Sequence, residues 1–413
     1  MHYLLNKYND RLTGEVRVSP SKSESNRALL IKALCSGKIG LKNLSDAQDT
    51  RTMNVLLQKN RKVWDVLDAG TTMRFLTAYL AIGGKEVTIT GSDRMKERPI
   101  GHLVDALREI GSEIDYLEKE GYPPLLIKGL KTQKSNKISI PGNISSQFIS
   151  ALLMIGPALP KGLQIELTSE VFSKPYIEMT RDLMKAFGVE TKWNKNLLSA
   201  KKAEYLAGDY AISEYTIEGD WSGVSYWYSF MALSDDEKSS ITIPRLRTYS
   251  SQGDKRIAEI MFQFGIVTEF ENGKIRLTKM DFEAKPVKLD MRDCPDLAQT
   301  IMVVAAARQV LVDFTGLESL KIKETDRILA MKTELKKIGA DLIEKGNTWQ
   351  LVPALILPKS VEIDTYEDHR MAMAFAPLCM QMDVVIREPS VVRKSYPGFW
   401  EEIKKVGVKI SPH

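Results

Sequence analysis

The chain has 413 residues, of which 43% are hydrophobic and 27% charged, and these proportions are typical of a soluble globular protein long enough for two domains. No apolar run approaches the roughly 20 residues of a membrane helix, and the start has polar and charged residues where a signal peptide would have its apolar stretch, so we expect a cytoplasmic protein. Three widely separated cysteines argue against a disulfide framework or a zinc site, and a net charge of +5 does not choose between nucleic acid and an anionic substrate.

Six phrases along the chain each predict a helix rich in small and apolar residues, which begins where a strand or loop ends in Gly, Ser, Asp or Asn. In chain order they are SKSESNRALL, DAGTTMRFLT, GNISSQFISA, GDWSGVSYWY, CPDLAQTIMV and EDHRMAMAFA, starting near Ser21, Asp68, Gly142, Gly219, Cys294 and Glu367. Short alternating or β-branched runs predict strands between the helices. These runs are EVTIT, KISIP, SSITIP, KIRLT, VEIDTY and DVVIRE.

A second phrase also recurs: a helix with one apolar face, a glycine, and then an extended segment. Its glycines are Gly111, Gly188, Gly265, Gly339 and Gly407, each where a helix C-terminus favours a residue able to adopt positive φ. The spacing of roughly 75 residues is too long for the common solenoid repeats. We therefore predict six α/β units in two groups of three, the first unit being truncated because Asp68 follows Ser21 too closely.

The start of the first helix presents residues suited to an anion. Lys22, Ser23 and Arg27 lie where free backbone N–H groups and the helix dipole favour negative charge. Taken alone, the phrase is explained equally well by an ordinary serine cap with surface charges. Later helix starts add neutral hydrogen-bond donors at Ser145, Ser146, Gln147, Ser173 and Tyr176, where Ser173 also reads as a standard cap before Pro175.

Charged residues lie at several other predicted helix starts, where a cation opposes the helix dipole. They are Arg94, Lys96 and Arg98 before a helix expected to open at Pro99, Lys321, Lys323, Glu324 and Arg327 before another, and His369, Arg370 and Lys394 in EDHRMAMAF and VVRKSYPGFW. Such charges are usually solvated. A bound anion would remove the conflict with the dipole, so the pattern indicates an anionic ligand.

The phrases SKSxSNRALL, AGTxMR, RMKERPIGHLVDAL, SSQF, SKPYI, KETDR and DHRMAM occur in this order, and through them the chain resembles the 5-enolpyruvylshikimate-3-phosphate synthase family of enolpyruvyl transferases. The resemblance covers nearly the whole chain. It implies an α/β (α+β) fold of two domains, each with three βαβαββ-type units, whose helix N-termini face the cleft between the domains. We expect residues 1–20 with 218–413 to form one domain, and residues 21–217 to form the other, inserted domain.

The resemblance also implies two sets of binding residues. Shikimate 3-phosphate is expected at Lys22, Ser23, Arg27, Ser145, Ser146, Gln147, Ser173, Tyr176, Asp296, Ser319 and Lys323. Phosphoenolpyruvate, and by the same resemblance the inhibitor glyphosate, is expected at Lys22, Gly70, Arg98, Gln147, Arg327, His369, Arg370 and Lys394. Together the substrates carry about six negative charges, which the cations of these sets would offset in one pocket.

The implied reaction is an addition followed by an elimination, within chorismate and aromatic amino acid biosynthesis. Asp296 is the expected base near the 5-hydroxyl, and Glu324 the expected group that gives and removes the proton at carbon 3 of phosphoenolpyruvate. Lys22 or Lys394 would share these proton transfers. For Asp296 alone, an acid in the first turn of a helix after Pro295 is the simpler interpretation. The resemblance implies a monomer and neither a metal nor an organic cofactor.

Four residues depart from the family phrases. Asp68 stands where Asn is usual, Phe75 where Pro is usual, Ser319 where Asn is often found, and Trp221 where a small residue is usual. An additional carboxylate at Asp68 is expected to weaken phosphoenolpyruvate binding by repulsion. The other three changes are expected to alter local packing or a substrate contact without changing the reaction.

Two alternative functions share part of this pattern. The transferase that acts on UDP-N-acetylglucosamine shares the fold, but its first phrase has Lys-Asn where this chain has Lys22-Ser23, and it commonly uses a loop cysteine that is absent between Arg94 and Arg98. A catalytically inactive relative that binds anions or nucleic acid is the second. It is disfavoured because Asp296 and Glu324 are both present and no basic-aromatic run occurs.

Overall fold

A computed structural model describes residues 2–37, 39–58, 61–206 and 214–413, in which helices and strands alternate. The chain divides into a discontinuous unit, Met1–Ser19 with Glu218–His413, and an inserted unit, Pro20–Ile217. In the described segments, no helix is long and apolar enough to cross a membrane.

The α-helices of the described residues are numbered in chain order. They are α1 (Lys22–Leu34), α2 (Gln48–Gln58), α3 (Gly70–Ala81), α4 (Asp93–Lys96), α5 (Gly101–Ile110), α6 (Ser146–Ile155), α7 (Lys174–Ala186), α8 (Trp221–Leu233), α9 (Ile257–Phe262), α10 (Ala298–Ala307), α11 (Arg327–Lys337), α12 (His369–Phe375) and α13 (Phe399–Lys405). Short 3-10 helices cover Gly156–Ala158, Gly253–Arg256, Pro295–Leu297, Glu318–Ile322, Ala376–Met380 and Pro389–Lys394.

The strands follow the same order. They are β1 (His2–Leu5), β2 (Thr13–Glu15), β3 (Gly40–Lys42), β4 (Val63–Asp65), β5 (Val87–Thr90), β6 (Ser112–Tyr116), β7 (Leu125–Leu130), β8 (Lys137–Ile140), β9 (Leu163–Leu167), β10 (Thr191–Asn194), β11 (Leu197–Ala200), β12 (Glu214–Thr216), β13 (Ser240–Pro244), β14 (Ile266–Glu271), β15 (Lys274–Lys279), β16 (Val287–Asp290), β17 (Val312–Thr315), β18 (Asp341–Lys345), β19 (Thr348–Val352), β20 (Ser360–Ile363), β21 (Asp383–Arg387) and β22 (Ile410–Pro412).

Five four-stranded sheets in the described residues share one topology. Their strand orders are β4-β5-β7-β6, β10-β11-β9-β8, β14-β15-β13-β2, β16-β17-β19-β18 and β20-β21-β1-β22. In the first, β4 and β5 are parallel, whereas β7 runs antiparallel to both β5 and β6. Helix α3 joins the parallel strands and α5 follows β5, which gives the βαβαββ order. The predicted α/β fold of repeated units is therefore confirmed.

The first repeat is truncated, as its shorter spacing predicts. It contains α1 and α2, and its sheet is the single parallel pair of β3 with β12. The antiparallel strands that complete the other five sheets have no counterpart among the described residues of this repeat.

Each repeat combines a largely buried helix with an amphipathic one. The largely buried helices are α1, α3, α6, α8, α10 and α12. Small residues such as Ser225 and Ala305, both with no exposed surface, let these helices pack closely inside the core of their unit. The N-termini of the buried helices carry about half of the candidate site residues that the sequence singles out.

The five recurring glycines behave as predicted. Gly111, Gly188, Gly265, Gly339 and Gly407 follow α5, α7, α9, α11 and α13, and all have positive φ. At Gly111, for example, φ is 120° and a Cβ would lie 2.5 Å from the carbonyl oxygen of Thr132. A glycine is therefore required there both by backbone conformation and by space.

Candidate active site

Arg27, on α1 of the inserted unit, is a buried cation with 1% of its surface exposed. Its guanidinium donates to Thr180 Oγ1 at 2.7 Å, to Ser150 Oγ at 3.2 Å, and to the carbonyl oxygens of Ser23 and Tyr176 at 3.0 and 3.1 Å. An arginine has five N–H groups. One hydrogen of Nη1 therefore has no acceptor among the described residues.

All the acceptors around Arg27 are neutral, and the described part of the chain gives it no carboxylate partner. The ring centroids of Phe75 and Tyr176 lie 5.3 and 5.8 Å from its Cζ, within the range of cation–π attraction. Burial lowers the pKa of Arg27 to about 10, because the charge is removed from water without a compensating anion. Arg27 stays charged at neutral pH and can form an ion pair with a ligand.

Lys22 lies in the first turn of α1, and its Nζ is 3.0 Å from Oδ2 of Asp49 on α2. The carbonyl oxygen of Asp49 also accepts a 3.1 Å hydrogen bond from Oγ1 of Thr72 on α3. Asp49 thus connects the N-terminal turns of three helices and fixes the position of the Lys22 ammonium.

The guanidinium of Arg98 lies against Gly70, the first residue of α3. A Cβ at Gly70 would be 2.6–2.8 Å from three guanidinium atoms, so any larger residue would displace Arg98. Arg98 is 8% exposed, its Nε lacks a hydrogen-bond partner, and no ion pair to it exists within the described residues. A buried cation beside a positive helix end is unfavourable unless an anion joins it. This arrangement is the clearest indication of an anion site in the inserted unit.

Arg74 on α3 connects this helix to the segment that carries Arg98. Its guanidinium donates to the carbonyl oxygens of Gly70 at 3.2 Å and Pro99 at 3.1 Å. The helix after Arg98 begins at Gly101 rather than at Pro99, so the expected start at Pro99 is wrong. Pro99 instead supplies a carbonyl acceptor for Arg74, which links the segment after Arg98 to α3.

The predicted neutral donors of the inserted unit also lie at helix N-termini. Ser145 caps α6 by accepting from the backbone N–H of Gln147 at 3.3 Å, and Gln147 Nε2 donates to Thr71 Oγ1 on α3 at 3.1 Å. Ser146 is buried in the first turn of α6. Ser173 precedes α7 with φ of 56° and its side chain does not cap the helix, so the expected standard cap is wrong.

In the discontinuous unit, Arg327 is the first residue of α11 and is 1% exposed. Its Nε lies 2.6 Å from Asp368 Oδ2, its Nη1 3.0 Å from Asp296 Oδ1, and its Nη2 2.8 Å from Glu324 Oε2. The sequence indicates that this cation needs an anion at the helix start. The protein supplies three carboxylates of its own.

Asp296 is held by cations on both of its carboxylate oxygens. Besides Arg327 on Oδ1, Arg370 Nη2 lies 2.8 Å from Oδ2 and Lys323 Nζ lies 4.0 Å from Oδ1. Burial raises the pKa of Asp296, but the charges of Arg370, Lys323 and Arg327 outweigh burial and hold that pKa below its usual range. In this arrangement Asp296 is ionised but is a weak base.

Asp254, which no sequence pattern singled out, is a second buried carboxyl near Asp296. It accepts a hydrogen bond from Ser222 Oγ, while its Oδ1 has no partner among the described residues. Burial, and next the charge of Asp296, raise the pKa of Asp254 to about 7. With this pKa, the carboxyl group of Asp254 changes its protonation state close to neutral pH.

The remaining predicted residues of this unit lie on neighbouring segments. Lys394 Nζ donates to the carbonyl oxygen of Glu367 at 2.9 Å. His369 is 2% exposed, with its Nδ1 3.8 Å from Asp368 Oδ1. Ser319 is half-buried in the 3-10 helix Glu318–Ile322.

Two departures from the family phrases have local explanations. Asp68 accepts a hydrogen bond from Ser92 Oγ, so its carboxylate has a partner within the inserted unit. Trp221 is fully buried and donates from Nε1 to Glu218 Oε1 at 2.9 Å. Gln252 connects Trp221 with Glu218. Its Nε2 donates to Glu218 Oε2 at 3.0 Å, and its Oε1 accepts from the Trp221 backbone N–H at 3.1 Å.

Sequence reasoning missed Asp49, Arg74, Asp254 and Asp368 as parts of the two charge clusters. Asp368 had a usable signal, because an aspartate directly before a helix is a typical N-cap, and its Oδ1 accepts from the Arg370 backbone N–H at 2.8 Å. Arg74 also had a signal, because it is the arginine of the AGTxMR phrase. For Asp49 and Asp254, no local pattern distinguishes the residue from an ordinary surface charge.

Comparison with known proteins identifies the family. The sequence profile described as EPSP synthase (3-phosphoshikimate 1-carboxyvinyltransferase) matches residues 7–63 and 56–403. A 3-phosphoshikimate 1-carboxyvinyltransferase of Bacteroides fragilis (strain YCH46) is 46% identical over 416 residues, covering 99% of each chain. The Klebsiella pneumoniae (strain 342) protein of the same name is 37% identical, covering 96% of this chain and 97% of that protein.

Solved structures agree with these relatives in fold. EPSP synthase from Acinetobacter baumannii superposes with a TM-score of 0.79 at 19% identity over 100% of both chains. The enolpyruvyl transferase NikO from Streptomyces tendae gives a TM-score of 0.75 at 12% identity, covering 99% of this chain and 98% of that one. From the profile and the full-length relatives, this chain belongs to the EPSP synthase (3-phosphoshikimate 1-carboxyvinyltransferase) family.

Proposed function

We propose that this chain transfers the enolpyruvyl group of phosphoenolpyruvate to the 5-hydroxyl of shikimate 3-phosphate and releases phosphate. Besides family membership, the observation that supports this reaction most is the pair of buried arginines Arg27 and Arg98. Neither has a carboxylate partner among the described residues. Both are therefore available to anionic substrates.

For phosphoenolpyruvate, we assign Arg98 as the main cation of the inserted unit. Gly70 leaves the space that its guanidinium occupies, and Lys22 and Gln147 add donors at adjacent helix starts. In the discontinuous unit, Arg327, His369, Arg370 and Lys394 complete the proposed set. The repulsion expected from Asp68 is reduced because its carboxylate accepts a hydrogen bond from Ser92.

For shikimate 3-phosphate, we assign Arg27, whose remaining Nη1 hydrogen can bind a carboxylate or phosphate oxygen. The hydroxyls of Ser23, Ser145, Ser146 and Ser173 would add neutral hydrogen bonds. Lys22, Gln147, Tyr176, Asp296, Ser319 and Lys323 complete the proposed set. Phe75 contributes indirectly, because its ring faces the guanidinium of Arg27 at 5.3 Å and stabilises that charge away from water.

The proposed chemistry has two steps. The 5-hydroxyl oxygen attacks carbon 2 of phosphoenolpyruvate while carbon 3 receives a proton, which forms a tetrahedral intermediate. Carbon 3 then loses a proton, the bond between carbon 2 and the phosphate oxygen breaks, and the double bond re-forms. Asp296 accepts the hydroxyl proton, Glu324 gives and removes the proton at carbon 3, and Lys22 and Lys394 share these transfers.

Phosphate release with different acceptors tests this function. We expect release from phosphoenolpyruvate only when shikimate 3-phosphate is present. Release only with UDP-N-acetylglucosamine would instead identify the sugar-nucleotide transferase. Salt-dependent RNA binding without phosphate release would favour an inactive anion-binding relative.

Three further assignments rest on the sequence resemblance. We propose that the discontinuous and inserted units correspond to the two domains of the family. We also propose that the protein is a monomer and acts in the cytoplasm. Its substrates are small molecules, and neither nucleic acid nor a membrane is a proposed partner.

A further inference from the structure

The charge cluster of the discontinuous unit contains its own anions. Its cations are Arg327, Arg370 and Lys323, and its carboxylates are Asp296, Glu324 and Asp368. When all six groups are ionised, the cluster has no net positive charge. An incoming anion therefore gains little electrostatic binding energy unless it displaces one of the carboxylates.

The carboxylate of Asp296 pairs with Arg327 and Arg370 as the anionic group of a bound substrate would. Its Oδ1 lies 3.0 Å from Arg327 Nη1 and its Oδ2 lies 2.8 Å from Arg370 Nη2. One carboxylate thus connects two guanidinium groups, each through a charge-assisted hydrogen bond. A phosphate or carboxylate of a substrate would compete for the same N–H groups.

The three carboxylates differ in how easily they could be displaced. Asp368 has no exposed side-chain surface and also caps α12 through Oδ1. The side chain of Asp296 is 17% exposed and belongs to the short 3-10 helix Pro295–Leu297. Glu324 is similarly exposed, at 19%, but contacts only one of the two arginines in the described ion pairs. Asp296 is therefore the carboxylate that an incoming anion can replace on both arginines.

We propose that Asp296 occupies Arg327 and Arg370 in the ligand-free protein as an internal substitute for the substrate's anionic group, and that phosphoenolpyruvate displaces it. This inference rests on the proposed function of the site. Displacement has a chemical consequence, because a carboxylate released from two guanidinium groups becomes a stronger base. The base for the 5-hydroxyl would thus become effective only after phosphoenolpyruvate has bound.

The test compares phosphoenolpyruvate binding by the wild type and by Asp296→Asn, using calorimetry without an acceptor so that no turnover occurs. Removing the internal competitor should lower the Kd for phosphoenolpyruvate by about 5- to 150-fold, the usual range for coupled ligands, although turnover is lost. The same ligand should raise the melting temperature of the variant more than that of the wild type. Asp296→Ser, which also removes the charge, should behave similarly.

The matched control is Asp236→Asn, since Asp236 pairs with Arg11 in the same unit and its replacement changes the net charge equally. Its Kd should equal that of the wild type. The inference is overturned if the folded Asp296 variants bind phosphoenolpyruvate no more tightly than the wild type does. It is equally overturned if neither the variants nor the wild type bind phosphoenolpyruvate. A wild type that releases no phosphate with shikimate 3-phosphate contradicts the proposed function instead.

Discussion

Asp296→Asn and Glu324→Gln should each lower kcat by about 10²- to 10⁴-fold, the usual contribution of a positioned acid or base. Both changes keep the shape of the side chain but remove its ability to accept a proton. Shikimate 3-phosphate should still bind, because Arg27 and its neutral partners in the inserted unit are unchanged. The measurements are phosphate release for kcat and calorimetry for the binding of shikimate 3-phosphate.

Asp236→Asn serves as the control for these variants as well, and its kcat should stay at the wild-type value. Near-normal rates in both Asp296→Asn and Glu324→Gln would show that the acid and base are misassigned. Loss of shikimate 3-phosphate binding in both would show that these carboxylates hold the substrate rather than move protons.

Asp368→Asn should produce a large loss of stability. Asp368 has no exposed surface, and its Oδ2 lies 2.6 Å from Arg327 Nε. Asparagine can still cap α12 through Oδ1, so the variant tests the loss of the negative charge without the loss of the helix cap. Removing one partner of a buried ion pair costs about 3 kcal/mol or more, which should appear as a lower urea midpoint.

Tryptophan fluorescence suits this measurement, because Trp221, Trp227, Trp349 and Trp400 all lie in the discontinuous unit. The Asp236→Asn variant removes a partly exposed pair with Arg11 and should leave the urea midpoint close to that of the wild type, because solvent-exposed ion pairs contribute little to stability. Equal midpoints for the two variants would mean that Asp368 does not stabilise Arg327 electrostatically.

Much of the fold could be predicted because its signals are local and repeated. Adjacent residues alone predict one such unit: the apolar face predicts α11, the glycine predicts the positive φ of Gly339, and the extended run predicts β18. The same pattern occurs five times, so chance resemblance at one position matters little. The exact helix starts were less predictable, since the helix expected at Pro99 begins at Gly101.

The charge clusters were less predictable because their contacts join distant parts of the chain. Asp296 and Arg370 are 74 positions apart, and Arg327 and Asp368 are 41 apart. From sequence, the cations at helix starts appeared to need external anions. The structure divides them into two kinds: Arg98 lacks a carboxylate partner in the described residues, whereas Arg327 has three.

Phe75 illustrates how a departure from the family phrases gains meaning only in three dimensions. In the sequence it is an unexpected aromatic residue beside Gly70. In the structure its ring is fully buried and faces Arg27 of another helix, as does the ring of Tyr176. No sequence spacing predicts this contact, because α1 and α3 are brought together by packing of the whole inserted unit.

The most direct test of enolpyruvyl transfer asks which bond of phosphoenolpyruvate is broken. Phosphoenolpyruvate carrying a heavy-oxygen label in the bridge between carbon 2 and phosphorus is incubated with the protein and shikimate 3-phosphate, and the released phosphate is analysed by mass spectrometry. Addition followed by elimination predicts that the label leaves with phosphate, and only when the acceptor is present. Unlabelled phosphate, released together with pyruvate with or without acceptor, would mean hydrolysis at phosphorus and would contradict enolpyruvyl transfer.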